Sequence, residues 1–184
     1  ISSPGFMLVS FDYSQIELRV AAHVADDSKM IEIFRQGEDF HKKTAAAVNG
    51  VALDQVTPDM RRAAKTLNFG VLYGMGSQAF AENTGFSRHD AKTFIDNYFK
   101  NFSGLKTYME ETKIRAAKLG YVETVFGRRR YIPEINTMNW RYRREAERMA
   151  INMPIQGTAA DIVKLSMVKV DEWIRKNKLS GGVR

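Results

Sequence analysis

Between Thr57-Pro58-Asp59 and Gly74-Met75-Gly76 the chain carries a helical stretch whose two faces ask for different surroundings. Threonine at the cap and proline at the first position suit a helix start, and the glycines end it near Tyr73. At 100° per residue, Met60, Ala64, Leu67 and Val71 fall within roughly 60° of one another, a stripe fit to pack on a core. Arg61, Lys65, Phe69 and Tyr73 step by four and form a second stripe about 150° away on average. As an ordinary solvated face, that stripe explains the two cations but leaves two rings in water. As a binding face, it offers cations to phosphates and rings to sugar and base, the order in which a nucleotide presents them.

The remaining pattern is mostly helical. Residues 5–13 predict a strand in which Phe6, Leu8 and Ser10 alternate with Met7, Val9 and Phe11. Both faces are largely apolar, which places the strand inside a sheet. Helices are predicted over residues 15–24, 29–36, 41–48, 77–84, 88–101 and 103–119. Residues 120–133 predict a hairpin around Phe126-Gly127, and residues 141–177 a helix that Pro154 should kink or restart. The fold class is therefore α+β, predominantly helical. A lone buried strand cannot stand, so both ends of the chain are expected to be cuts through a longer protein.

Charge narrows the partners. The 184 residues carry 28 basic and 21 acidic side chains, a formal net charge of +7. Seven arginines (Arg128, Arg129, Arg130, Arg141, Arg143, Arg144 and Arg148) crowd into residues 128–148, against Glu134, Glu145 and Glu147. A clustered surplus suits a polyanion better than a spread one does. The chain has no cysteine, so disulfides and cysteine-based metal knuckles are excluded. No apolar run is long enough to predict a membrane span. A P-loop is excluded because no GxxxxGK[ST] occurs.

Three further positions invite chemistry. Asp12 ends the predicted strand, where a rigidly held carboxylate suits a hard cation. It would equally serve to cap the following helix. His41, in Phe40-His41-Lys42-Lys43, reads as a surface histidine on its own. Arg148, Asn152 and Gln156 recur at four-residue steps, and the two amides could serve backbone groups freed by Pro154.

Three runs of sequence resemble DNA polymerase family A. Arg61 to Gly74 fits that family's motif B, RxxxKxxxFxxxYG; Asp12-Tyr13-Ser14-Gln15-Ile16-Glu17-Leu18-Arg19 resembles its motif A; residues 147–161 resemble its primer-template segment. The resemblance covers essentially the whole chain. It implies a polymerase palm with an α-helical fingers subdomain: residues 1–28 the first part of the palm, 29–138 the fingers with the motif B helix at 58–73, and 139–184 palm helices that stop before motif C. The implied activity is template-directed DNA synthesis, in replication or repair, by deoxynucleotidyl transfer to a primer 3′ end with two Mg²⁺ ions. The implied partners are primer-template DNA, dNTPs and the remainder of the parent chain, with no membrane. A bacterial member would work in the cytoplasm, at the nucleoid.

By the same resemblance Asp12 binds both metals and the Tyr13 carbonyl assists one. Arg61, Lys65 and His41 hold the triphosphate, and Gln15 also touches the nucleotide. Phe69 packs on sugar and base, which implies that terminators lacking a 3′-hydroxyl are poor substrates. Glu17 lies under the ribose and excludes a 2′-hydroxyl. Tyr73 sits near the templating position, and Gly74 leaves room for the template. Arg148, Asn152 and Gln156 contact primer-template, where minor-groove acceptors nearly common to all base pairs can be checked without reading sequence. The family's second catalytic aspartate lies in a His-Asp-Glu motif that does not occur here; His89-Asp90 is followed by Ala91. These residues alone are thus expected to bind nucleotide and DNA without extending a primer. A basic nucleic-acid-binding module without catalysis would leave Asp12 and Glu17 unexplained. A single-subunit RNA polymerase would need space for the 2′-hydroxyl that Glu17 denies.

Overall fold

The computed structural model describes residues 4–179. Eight α-helices and one short hairpin follow in order among them: α1 (Ile16–Val24), α2 (Ser28–Arg35), α3 (Phe40–Asn49), α4 (Pro58–Leu72), α5 (Ser77–Thr84), α6 (Arg88–Asn101), α7 (Ser103–Leu119), β1 (Tyr121–Glu123), β2 (Arg129–Tyr131) and α8 (Trp140–Lys176). The helix starts are written in the sequence. Side chains of Asp27, Asp39, Thr57, Ser87 and Asn139 each accept a hydrogen bond from a first-turn backbone N–H, satisfying a donor the helix itself cannot pair. Asp27 does more. It is buried, and its second carboxylate oxygen accepts from the Leu105 N–H at 3.2 Å, pinning the start of α7 to that of α2.

One core joins α1 through α7 to the middle of α8. Leu18, Phe40, Leu67, Phe80, Tyr98, Phe102 and Leu105 are sealed within it. Its rings pack in rows: Phe34 stacks on Phe40 at 4.8 Å between centroids, and Phe40 meets Phe102 at 5.7 Å. A smaller core of Val122, Ile132, Ile135, Ala146, Ala150 and Met153 seats the hairpin on α8. The hairpin pairs Tyr121 with Tyr131, Val122 with Arg130, and Glu123 with Arg129. Its turn is tied to α8 where Val125 N–H donates to Thr158 Oγ1 at 3.0 Å.

Two expectations are corrected. Residues 6–13 form no strand, and Phe6, Met7, Leu8, Val9 and Phe11 are exposed. The only sheet among the described residues is the β1–β2 hairpin, so this segment has no ladder to complete and no sheet face to bury against. Pro154 does not restart the last helix: α8 runs unbroken from Trp140 to Lys176 with Pro154 buried inside it. Pro154 lies among the buried side chains Ile151, Met153 and Ile155, so tertiary packing holds helical geometry through the lost backbone bond.

Candidate functional site

α4 turns its Ala64–Leu67–Val71 face into the core and Arg61, Lys65 and Tyr73 away from it, while Phe69 packs against the edge of the core. Arg61 and Lys65 are exposed and Phe69 is half-buried. Beside them, on α3, lies His41. It is buried rather than superficial, with its ring 5.7 Å from that of Phe69. Burial pushes the His41 imidazole below its ordinary pKa; Asp39 opposes that, while Arg61 and Lys65 add to it. A histidine, two cations and an aromatic ring from separate parts of the sequence thus share one face.

Arg61 is already engaged, its Nε donating to Asp39 Oδ2 at 2.8 Å. Asp39 caps α3 with its other oxygen, which accepts from the Lys42 N–H at 3.1 Å. Burial works against the charged form of Asp39, but the Arg61 guanidinium and the N–H groups of Lys42 and His41 outweigh it and hold the carboxyl below its usual range. Lys65 joins no ion pair among the described residues.

The other end of α4 is clasped. Tyr73 Oη donates to Glu17 Oε2 at 3.0 Å and accepts from Gln156 Nε2 at 3.0 Å. This relay joins α1, the end of α4 and α8. Burial raises the Tyr73 pKa and the nearby Glu17 charge adds to the rise, while Gln156 offsets part of it. Asn152 Nδ2 donates to the Leu72 carbonyl at 3.1 Å, so this amide serves an unpaired carbonyl at the end of α4, not the proline turn of its own helix. Gly74 has φ +70°, and a Cβ there would stand 2.5 Å from Arg148 Cγ. The space above Gly74 is taken by Arg148.

Tyr73, Arg148, Asn152 and Gln156 line one open cleft of about 610 Å³, together with Arg128, Arg129 and Arg130 of the hairpin. The hairpin arginines are not idle solvated groups. Arg128 donates to Asp161 Oδ1 and to the Gly157 carbonyl, both at 2.9 Å, and Arg129 pairs with Glu123 while lying over the Tyr121 ring.

Asp12 lies on the segment before α1. It is exposed, and among the described residues it joins no ion pair. The next residue anchors the segment, Tyr13 Oη lying 2.6 Å from Ser166 Oγ on α8. Gln15, which precedes α1, adopts left-handed geometry with φ 55°, a conformation costing a non-glycine residue about 1–3 kcal/mol. The Asp12 carboxylate and the Tyr13 carbonyl are hard oxygen donors of the kind magnesium takes. They fit part of such a site, since no group of three or more His, Asp or Glu among the described residues is clustered to hold an ion.

Sequence reading missed Asp39, Thr44, Asn68 and Ser166 as supporting residues. Asn68 carried a signal: it lies four residues after Ala64 and one after Leu67, a polar group in an apolar stripe, and such groups are buried with a partner.

A helix with a cationic and aromatic outer face is thus tied at its end to an acid of α1 and amides of α8. The family model for DNA polymerase family A matches residues 1–183, and the chain belongs to that family. It is 48% identical over 183 residues to DNA polymerase I of Pseudomonas aeruginosa, an alignment covering 100% of this chain and 20% of that protein. It is also 48% identical over 170 residues to the thermostable DNA polymerase I of Thermus aquaticus, covering 92% of this chain and 20% of that one. The POL domain of Pol1 from M. smegmatis, solved in complex with DNA primer-template and dNTP, matches with a TM-score of 0.88 and 43% identity over 92% of this chain and 30% of that one. The chain therefore spans about a fifth of the length of these curated relatives. No helix among the described residues is long and apolar enough to cross a membrane.

Proposed function

We propose that the chain is the nucleotide-binding part of a DNA-directed DNA polymerase, with residues 1–28 and 139–184 belonging to the palm and residues 29–138 forming the fingers. The observation that carries this reading is the Gln156–Tyr73–Glu17 relay. It joins three segments, each of which has a separate task at one nucleotide. Arg61, Lys65 and His41 bind the triphosphate of an incoming dNTP, Gln15 touches it, and Phe69 packs against its sugar and base. Glu17, held by Tyr73, closes the space a 2′-hydroxyl would need. Arg148, Asn152, Gln156 and the hairpin arginines follow primer-template along the cleft, with Tyr73 and Gly74 at the templating position.

Asp12 and the Tyr13 carbonyl would hold Mg²⁺, which when bound in a pair supplies Lewis-acid activation and neutralises phosphate charge. The chain's own residues orient the triphosphate for in-line attack by the primer 3′-oxygen on the α-phosphate. Arg61, Lys65 and His41 offset the negative charge that develops on the departing pyrophosphate.

The test is sugar selection in a full-length polymerase carrying this segment. Glu17→Ala should raise ribonucleotide use relative to deoxynucleotide use about tenfold or more, measured as the ratio of kcat/KM values. An unchanged ratio would remove Glu17 from the sugar site. The 184-residue chain alone should not extend a primer with Mg²⁺, and Asp12-dependent extension by it would refute that division of labour.

A further inference from the structure

We propose that Asn68 fixes the ring tautomer of His41 so that its Nε2–H, and not a bare nitrogen, is presented to the ligand face of α3 and α4; Asn68 is a positioning residue. The inference rests on the reading of His41 as a phosphate-binding group and extends it to a residue with no place in that reading. Asn68 and Thr44 are fully buried and His41 nearly so. The Asn68 amide bridges α4 to α3, with Nδ2 2.9 Å from His41 Nδ1 and Oδ1 3.3 Å from Thr44 Oγ1. The Thr44 hydroxyl, which also donates to the Phe40 carbonyl at 2.8 Å, shares its one proton between the two acceptors.

An amide nitrogen only donates, so a bond from it to Nδ1 requires that nitrogen to be bare and the ring proton to sit on Nε2. The neutral ring then has one donor left, and a polyphosphate offers only acceptors. The opposite tautomer would aim a lone pair at phosphate oxygens. Protonating both nitrogens would set N–H against N–H across the Asn68 contact, so the amide also disfavours the imidazolium. The charged groups acting on His41 are Asp39 at the start of α3 and Arg61 and Lys65 on α4. With the two cations close by, a neutral donor binds the ligand without adding a third positive charge to a crowded face.

Asn68→Asp keeps the shape but replaces the donor with an acceptor. The ring proton then belongs on Nδ1, and Nε2 can donate only while the ring is doubly protonated. In the full-length polymerase, dNTP KM should be nearly flat for the parent protein from pH 6.5 to 8.5, and in Asn68→Asp it should climb about tenfold over that range. A merely structural role for Asn68 would change KM equally at every pH. Ring-labelled histidine NMR on the unsubstituted protein does not depend on the folding of Asn68→Asp: it should report the Nε2–H form at His41, with His41→Gln identifying the signal. An Nδ1–H form, the outcome if the amide lies the other way round, overturns the proposal. A flat KM profile in folded Asn68→Asp does the same. If His41→Gln leaves dNTP KM unchanged, the phosphate-binding reading of His41 fails instead.

Discussion

The helical face at α3 and α4 and the apolar surfaces near the two ends of the chain are built from similar residues with opposite fates. Leu67 and Val71 are 0% and 2% exposed, whereas Phe11 is 90% exposed and Val168, on the far half of α8, is 56% exposed. After Ala159 no described residue of α8 is buried. The difference is one of partners: α4 finds α1, α3, α5 and α8 within the chain, while residues 6–13 and the end of α8 find no covering layer among the described residues. The groups assigned to the nucleotide therefore stand on a finished core. The carboxylate assigned to the metal stands on an uncovered segment held by contacts such as Tyr13 to Ser166.

That contrast can be broken or sharpened by substitution. Asp12→Ala in a full-length polymerase should lower kcat on the order of 10³-fold and leave thermal stability unaltered, because Asp12 is exposed and unpaired among the described residues. A large loss of stability would mean that Asp12 holds structure, not metal. Leu67→Ala should act the other way, costing about 2–5 kcal/mol in denaturant unfolding through the cavity it leaves. A much smaller cost would show that the α4 core is loosely packed. Val168→Ser should shift the stability of the 184-residue chain by no more than about 0.5 kcal/mol. A larger effect would reveal that the end of α8 is covered after all.

The same contrast marks where sequence reading worked. α5, α6 and α7 fall on their predicted residues: Gly76 and Gly85 flank α5, Ser87 caps the start of α6 and Gly120 ends α7, while the join of α6 to α7 at Phe102 carries no capping side chain. The two faces of α4 were legible because helical period alone separates them. The strand was not, because alternation states only that residues 6–11 could sit in a sheet, and pairing has to come from another segment. Pro154 misled for a related reason: a local rule predicts a break, and burial among Ile151, Met153 and Ile155 overrides it. At the site, motif spacing named Arg61, Lys65, Phe69, Tyr73 and Glu17, but the Asp39 pair on Arg61 links residues whose separation no helical period relates. His41 read as superficial because two lysines follow it, whereas its place on α3 turns it inward toward Asn68.

The bonds at the end of α4 also set its leverage. Leu72 and Tyr73 are held to α8 and α1 by three hydrogen bonds, whereas Arg61, roughly 16 Å along the axis, is tethered through an exposed pair with Asp39 on α3. If α3 and α4 tilt together about the held end, a rotation of about 10° carries Arg61 through roughly 3 Å, close to one hydrogen-bond length. A small change of angle at Tyr73 is then enough to make or lose, at the other end of the rod, the phosphate contact proposed for Arg61.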